Sequence, residues 1–106
     1  MPNRGRTSFY RDKKNAYRAD GTLKGPGYFG TINLPSGATA TEYSIGVGFD
    51  GRQIQIPTLV PSLSEEELGL MRDDIIPNKR PIPPAIFKKA VEHAIMRMKE
   101  DKSPFK

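Results

Sequence analysis

The stretch YSIGVGFDGRQIQIP, residues 43 to 57, restricts the fold more than any other part of the chain. Tyr43, Ile45, Val47 and Phe49 alternate with Ser44, Gly46 and Gly48; an Asp50-Gly51 pair follows, and Ile54 and Ile56 then alternate with Gln53 and Gln55. Period-two alternation on both sides of an Asp-Gly pair predicts a β-hairpin closed by a two-residue turn. Such a turn sets Phe49 opposite Arg52, Val47 opposite Ile54, Ile45 opposite Ile56 and Tyr43 opposite Thr58. One face is then apolar and builds the core. The other carries Glu42, Ser44, Gly46 and Gly48 against Gln53, Gln55 and Pro57, a polar and nearly flat surface. Pro57 cannot donate to a ladder, and by the alternation of bonded and non-bonded pairs its missing N–H points away from the partner strand, so this strand is expected at a sheet edge.

The flanks extend the pattern. Gly25-Pro26-Gly27 breaks the chain, Tyr28 to Leu34 has strand propensity, and Pro35-Ser36-Gly37 supplies a turn before the hairpin. Beyond residue 60 the period becomes helical. Ser64 with Glu67 forms an S-x-x-E capping box, Leu63 can staple to Leu68, and Leu68, Met71 and Ile75 carry the stripe to Pro77. The proline-rich PNKRPIPP makes a stiff connector, and a second helix is expected from about Pro84 to Asp101. Its apolar stripe is Ile86, Phe87, Ala90, Val91, Ala94, Ile95 and Met98, with Ser103-Pro104 beyond its end. The expected fold class is α+β: a three-stranded antiparallel meander followed by two helices packed on one face, spanning residues 25 to 106. An extended basic N-terminal arm, residues 1 to 24, precedes it.

That arm accounts for the charge. Arg4, Arg6, Arg11, Lys13, Lys14, Arg18 and Lys24 stand against Asp12 and Asp20, which equals the formal net charge of +5 of all 106 residues. The arm has neither apolar period and is expected to order only on a partner. Phe9, Tyr10 and Tyr17 lie among its cations. Cations interleaved with aromatic residues suit nucleic-acid phosphates and bases, and equally suit docking on an acidic protein surface, with the aromatic residues as anchors.

Few catalytic arrangements are legible. The chain has no cysteine and one histidine, which removes disulfides and thiolate metal sites, and neither a metal nor a cofactor is expected. Glu65, Glu66 and Glu67 are explained by the positive end of a helix dipole. His93 is expected on a helix surface, solvated or paired with a near neighbour. GPGYFG lacks the Lys-Ser/Thr of a phosphate-binding loop and leads into a strand. No apolar run reaches the ~18 residues of a membrane span, and the first residues resemble no secretory signal, so no membrane partner is expected. Gly46 and Gly48, with Gln53 and Gln55, offer instead a strip where another backbone can approach.

The segments KGPGYFGTINLPSG, TEYSIGVGFDGRQIQIPTLVPSLSEEEL and IPPAIFKKAVEHAIMRMKEDKSPF together resemble a small module of tailed-bacteriophage virion-associated proteins, over about residues 24 to 105. The resemblance implies a non-enzymatic structural or assembly protein of the neck, tail or inner capsid. It would be assembled in the host cytoplasm and located in the virion, within a symmetric multi-subunit assembly. Its partners would be other virion proteins, with DNA as a further contact of the arm. Some long proteins with similar segments also carry peptidoglycan-cleaving domains, an activity not expected here. On this reading Phe9, Tyr10 and Tyr17 anchor the arm. Arg4, Arg6, Arg11, Lys13, Lys14 and Arg18 make its electrostatic contacts, and the edge of the third strand is a docking rail. Two other readings stand beside it: a nucleic-acid-binding phage protein that uses the basic aromatic arm, and a small phage inhibitor of a host enzyme or defence system.

Overall fold

The computed structural model describes Tyr17, Arg18 and residues 20 to 106. In chain order the strands are β1 (Ile32–Asn33), β2 (Thr39–Ala40), β3 (Ser44–Phe49) and β4 (Arg52–Pro57). Helix α1 starts as Glu65–Leu70, widens into a π turn at Met71–Ile75 and closes through Ile76–Asn78; α2 is Pro84–Lys99.

The hairpin has the register that its alternation predicts. Phe49 pairs with Arg52, Val47 with Ile54, Ile45 with Ile56 and Ser44 with Pro57. Asp50 (φ 47°) and Gly51 (φ 78°) both adopt positive φ, the type I′ geometry whose twist matches the strands it joins. The Thr58 N–H donates to the Tyr43 carbonyl at 2.9 Å, so the ladder is continued by one bonded pair past Pro57.

The three-stranded meander does not form. β1 pairs instead with β2, Ile32 against Ala40 and Asn33 against Thr39, and among the described residues β3 pairs only with β4, giving two separate antiparallel ladders. Two features turn the chain aside between them. At Gly27 (φ 76°) the backbone runs so close to Thr41 that a Cβ would stand 1.9 Å from the Thr41 carbonyl oxygen, which only glycine tolerates. Next to that crossing Glu42, expected on the outward polar face, is 6% exposed, its carboxylate turned inward to Arg18 and the Gly25 N–H. Strand propensity at residues 28 to 34 is therefore realised only at Ile32 and Asn33, while Phe29 and Leu34 pack on the core.

Two apolar clusters hold the elements. One gathers Ile32, Leu59, Val60 and Leu63 with Met71 and Ile75 of α1 and Ile86 of α2. The other sets Ala90 and Ala94 of α2 against Ile56, with Ile45, Val47 and Phe49 alongside. The two helices accordingly do not share one sheet face. α2 covers the hairpin, and α1 packs into the cluster that holds β1 and residues 59 to 63. The buried line of α2 is also narrower than expected: Ile86, Ala90 and Ala94 are enclosed, whereas Phe87 (42%) and Ile95 (38%) are exposed. Small side chains at Ala90 and Ala94 let the helix lie close on the strands, and that line, not the centre of the bulkier residues, faces inward.

The start of α1 follows its sequence signal. Ser64 Oγ accepts from the Glu67 N–H at 3.1 Å, and Glu67 Oε1 accepts from the Ser64 N–H at 2.9 Å. Lys89 of α2 donates to the same Glu67 oxygen, tying the two helices. The π turn ends two residues before Pro77, which has no N–H to donate and whose ring would meet the Asp73 carbonyl in a regular helix. Lys79 (φ 53°) then ends the helix in the left-handed conformation, with the Arg80 N–H on the Ile75 carbonyl. Ser64→Ala is expected to lower the unfolding free energy by about 1 kcal/mol. Urea denaturation monitored by circular dichroism checks this through a lower midpoint with an unchanged slope.

Candidate docking groove

The segment before β1 is fixed to the body of the protein by a charged clasp. Arg18 lies in a small turn bounded by a bridge between Tyr17 and Leu23, in which Asp20 accepts from both the N–H and the hydroxyl of Thr22. Its guanidinium donates from Nε to Glu42 Oε1 at 2.6 Å and from Nη2 to Oε2 at 3.0 Å, and Nη1 reaches the Thr22 hydroxyl. The same guanidinium lies over the Phe105 ring, 3.7 Å from its centroid. The Arg18 and Glu42 side chains are 10% and 4% exposed. Planar, bidentate and stacked contacts of this kind are what arginine provides and lysine does not.

The C-terminal tail closes the other side. Arg97 donates from Nε to the Ser103 carbonyl at 2.8 Å and from Nη2 to the Phe105 carbonyl at 2.9 Å, and the Tyr28 hydroxyl donates to the Pro104 carbonyl at 2.9 Å. Because that hydroxyl gives its proton to Pro104, its oxygen accepts from His93 Nε2, 2.8 Å away, with the two rings edge to face. Burial first, and the nearby Arg97 charge second, push the His93 imidazolium below its ordinary value of 6.5, partly opposed by the Pro104 carbonyl. Burial also raises the Tyr28 phenol, with Arg97 opposing. Both groups are thus held neutral, as parts of the tail anchor.

A histidine whose folded pKa is depressed stabilises the fold fully above the unfolded value. Stability is then lost as pH falls below about 6.5 toward the folded value, because the unfolded chain binds the proton more readily. His93→Gln is expected to flatten that section of the stability profile. Denaturant midpoints measured from pH 5 to pH 8, the range over which an unperturbed histidine titrates, check this.

Between the clasp and the hairpin lies an open groove of about 510 Å³. Its walls are the turn at residues 18 to 22, β4 at Gln53, Ile54 and Gln55, and the tail at residues 103 to 105, with Met98 of α2. The hairpin register fixes which backbone groups face it. The Tyr43–Thr58 bond makes every second pair a bonded one, so the N–H and C=O groups of Gln53 and Gln55 point away from β3. Among the described residues β4 has no second neighbour in its sheet, and no backbone hydrogen bond reaches Gln53 or Gln55 from another element. At the next outward position Pro57 has no donor, and it is fully buried.

The sequence-identified contact residues fall into three groups. Arg4, Arg6, Phe9, Tyr10, Arg11, Lys13 and Lys14 lie outside the described residues. Tyr17 is exposed beside Arg18, whose charge is engaged within the chain by Glu42. Gly46, Gly48, Gln53 and Gln55 do come together on the outer hairpin face, but the strip is not bare. A Cβ on Gly46 would stand 2.9 Å from Nε2 of Gln53 and 3.0 Å from Nε2 of Gln55, so the glycine makes room for two amide side chains lying across β3. Glu42, Tyr28, Arg97 and Phe105 were not identified from sequence. Their partners are distant in the chain, and only the SPF tail after α2 hints that a terminal aromatic residue is enclosed.

Among the described residues no group of three or more His, Cys, Asp or Glu side chains is placed to hold a metal ion. No described helix is long and apolar enough to cross a membrane. Among the described residues, fold and site define a small α+β protein with two helices, two two-stranded antiparallel ladders and a β4 edge that no other strand pairs, beside a groove. No protein-family model, curated protein or solved structure matches the chain.

Proposed function

We propose that the protein is a non-enzymatic docking component that binds its neighbours through the open edge of β4 and the basic residues at its N-terminus. The observation that carries this reading is the outward-facing backbone of Gln53 and Gln55, open to a groove whose walls are fixed by the Arg18–Glu42 pair and the Arg97-held tail. An unpaired strand edge is a ready template for an added strand, and proteins that do not use one cover or blunt it. The resemblance to modules of tailed-phage virion proteins gives the setting: an assembly protein of the neck, tail or inner capsid, contacting other virion proteins in a symmetric array.

The test is mass spectrometry of purified particles of the phage that encodes the chain. A fixed copy number relative to the major capsid protein is expected. Recovery of the chain only from infected-cell lysate, never from particles, contradicts the virion assignment and favours an inhibitor of a host system.

A further inference from the structure

We propose that the protein pairs with a second copy of itself through the face that Phe87, Val91 and Ile95 of α2 make with the β3 row Ile45, Val47 and Phe49. The two α2 helices cross antiparallel about a two-fold axis near Val91. This surface lies apart from the β4 groove and does not depend on the docking reading.

The fold leaves this apolar face unfinished. α2 lies chiefly along β4, so of the apolar residues on the inner hairpin face only Ile56 is fully enclosed, while Ile45, Val47 and Phe49 of β3 are half-buried. Arg97, on one flank of α2, holds the tail beside β4. The opposite flank therefore overlooks β3. Phe87, Val91 and Ile95 follow it at intervals of four residues, one line along a helix. Val91 packs beside the β3 row, whereas Phe87 and Ile95 belong to neither apolar cluster and are exposed. The other exposed large apolar residues, Tyr17, Leu23, Leu70 and Met96, stand outside that line.

The charges beside the stripe select a second copy as its occupant. Ala90 and Ala94, buried on the hairpin, bound the stripe on one side; Lys88, Glu92 and Lys99 bound it on the other. Lys88 and Glu92 are exposed and in no ion pair among the described residues. A two-fold axis perpendicular to α2 at Val91 runs the second helix antiparallel and sets each flank against its own counterpart. Lys88 of one copy then stands about 3 Å, measured along the helix, from Glu92 of the other, and the symmetry repeats the pair. Lys99 falls opposite Pro83 and Pro84 of the second copy, where no charge stands. Asp50 and Arg52, both exposed at the hairpin tip, are of opposite sign and offset each other. The half-buried β3 rows lie on the other flank and meet beneath the helix pair. Such a face is self-complementary, apolar at its centre and oppositely charged along its rim.

The test is sedimentation equilibrium of the full-length protein between about 1 μM and 1 mM chain, in about 0.1 M salt. Reversible doubling of the chain mass is expected. Ile95→Gln, at a position that belongs to neither cluster, is expected to weaken the pairing about a hundredfold, because each dimer loses two apolar contacts. Lys88→Glu and Glu92→Lys are each expected to weaken it about tenfold, since both rim pairs turn repulsive. The two substitutions in one chain restore the pairs with their signs exchanged, and are expected to return the dimer to within about threefold of its original strength. Both charged positions are exposed, so these variants carry the test should Ile95→Gln fail to fold. A chain that stays monomeric at every concentration overturns the proposal, whether residues 1 to 16 cover the face or nothing does. A dimer indifferent to Ile95→Gln and to the single charge substitutions overturns it too, as does a double variant no tighter than either single one.

Discussion

Glu42→Ala is expected to lower the unfolding free energy by about 3–5 kcal/mol, the cost of leaving one member of a buried ion pair without its partner. The guanidinium of Arg18 would remain enclosed between Thr22 and the Phe105 ring with no carboxylate to face, and the Gly25 N–H would lose its acceptor. A small domain has only about 5–15 kcal/mol of stability, so the loss is a large fraction of the whole. Replacing both members, Arg18→Met with Glu42→Met, is expected to recover most of it, since an apolar pair carries no uncompensated charge. Equilibrium denaturation of the single and double variants decides the matter. A single-variant loss below about 1 kcal/mol, the range of an exposed pair, would show that the clasp is solvated and does not fix the groove wall.

Gly27→Ala is expected to be nearly as damaging. Its φ of 76° disfavours any side chain by about 1–2 kcal/mol, and its Cβ would stand 1.9 Å from the Thr41 carbonyl oxygen, so one of the two backbone segments must move. The strain of such overpacking adds about 1–3 kcal/mol. Gly30→Ala is the matched control, because Gly30 has a similar φ of 68° and a Cβ there meets nothing within 4 Å. The difference between the two variants isolates the backbone crossing that separates the ladders. Equal losses, read from denaturant midpoints, would contradict the crossing.

These two sites also mark where sequence reading stops. The hairpin register, its turn and the α1 capping box are legible because each depends on residues a few positions apart: alternation, an Asp-Gly pair, and Ser64 with Glu67. The meander fails for a cause that no local pattern carries. Glu42 looks like one more polar residue on an outward strand face until Arg18, 24 positions earlier, is brought onto it. His93 reads as a surface histidine because Tyr28, its partner, is 65 positions away. Phe87 and Ile95 belong to the apolar stripe of α2 by spacing, yet the fit of Ala90 and Ala94 against the hairpin decides which line is buried. The edge position of β4 was legible through Pro57, whereas the groove beside it required the fold of both chain ends.

The availability of that edge is the claim on which the functional account stands, and hydrogen exchange of individual backbone amides in the unliganded full-length protein tests it most directly. The Ile54 and Ile56 amides, bonded to β3, are expected to exchange slowly, while those of Gln53 and Gln55 exchange at rates close to those of exposed loops. Protection of Gln53 and Gln55 equal to that of Ile54 and Ile56 would mean that β4 is already paired within the molecule, leaving no edge for a partner.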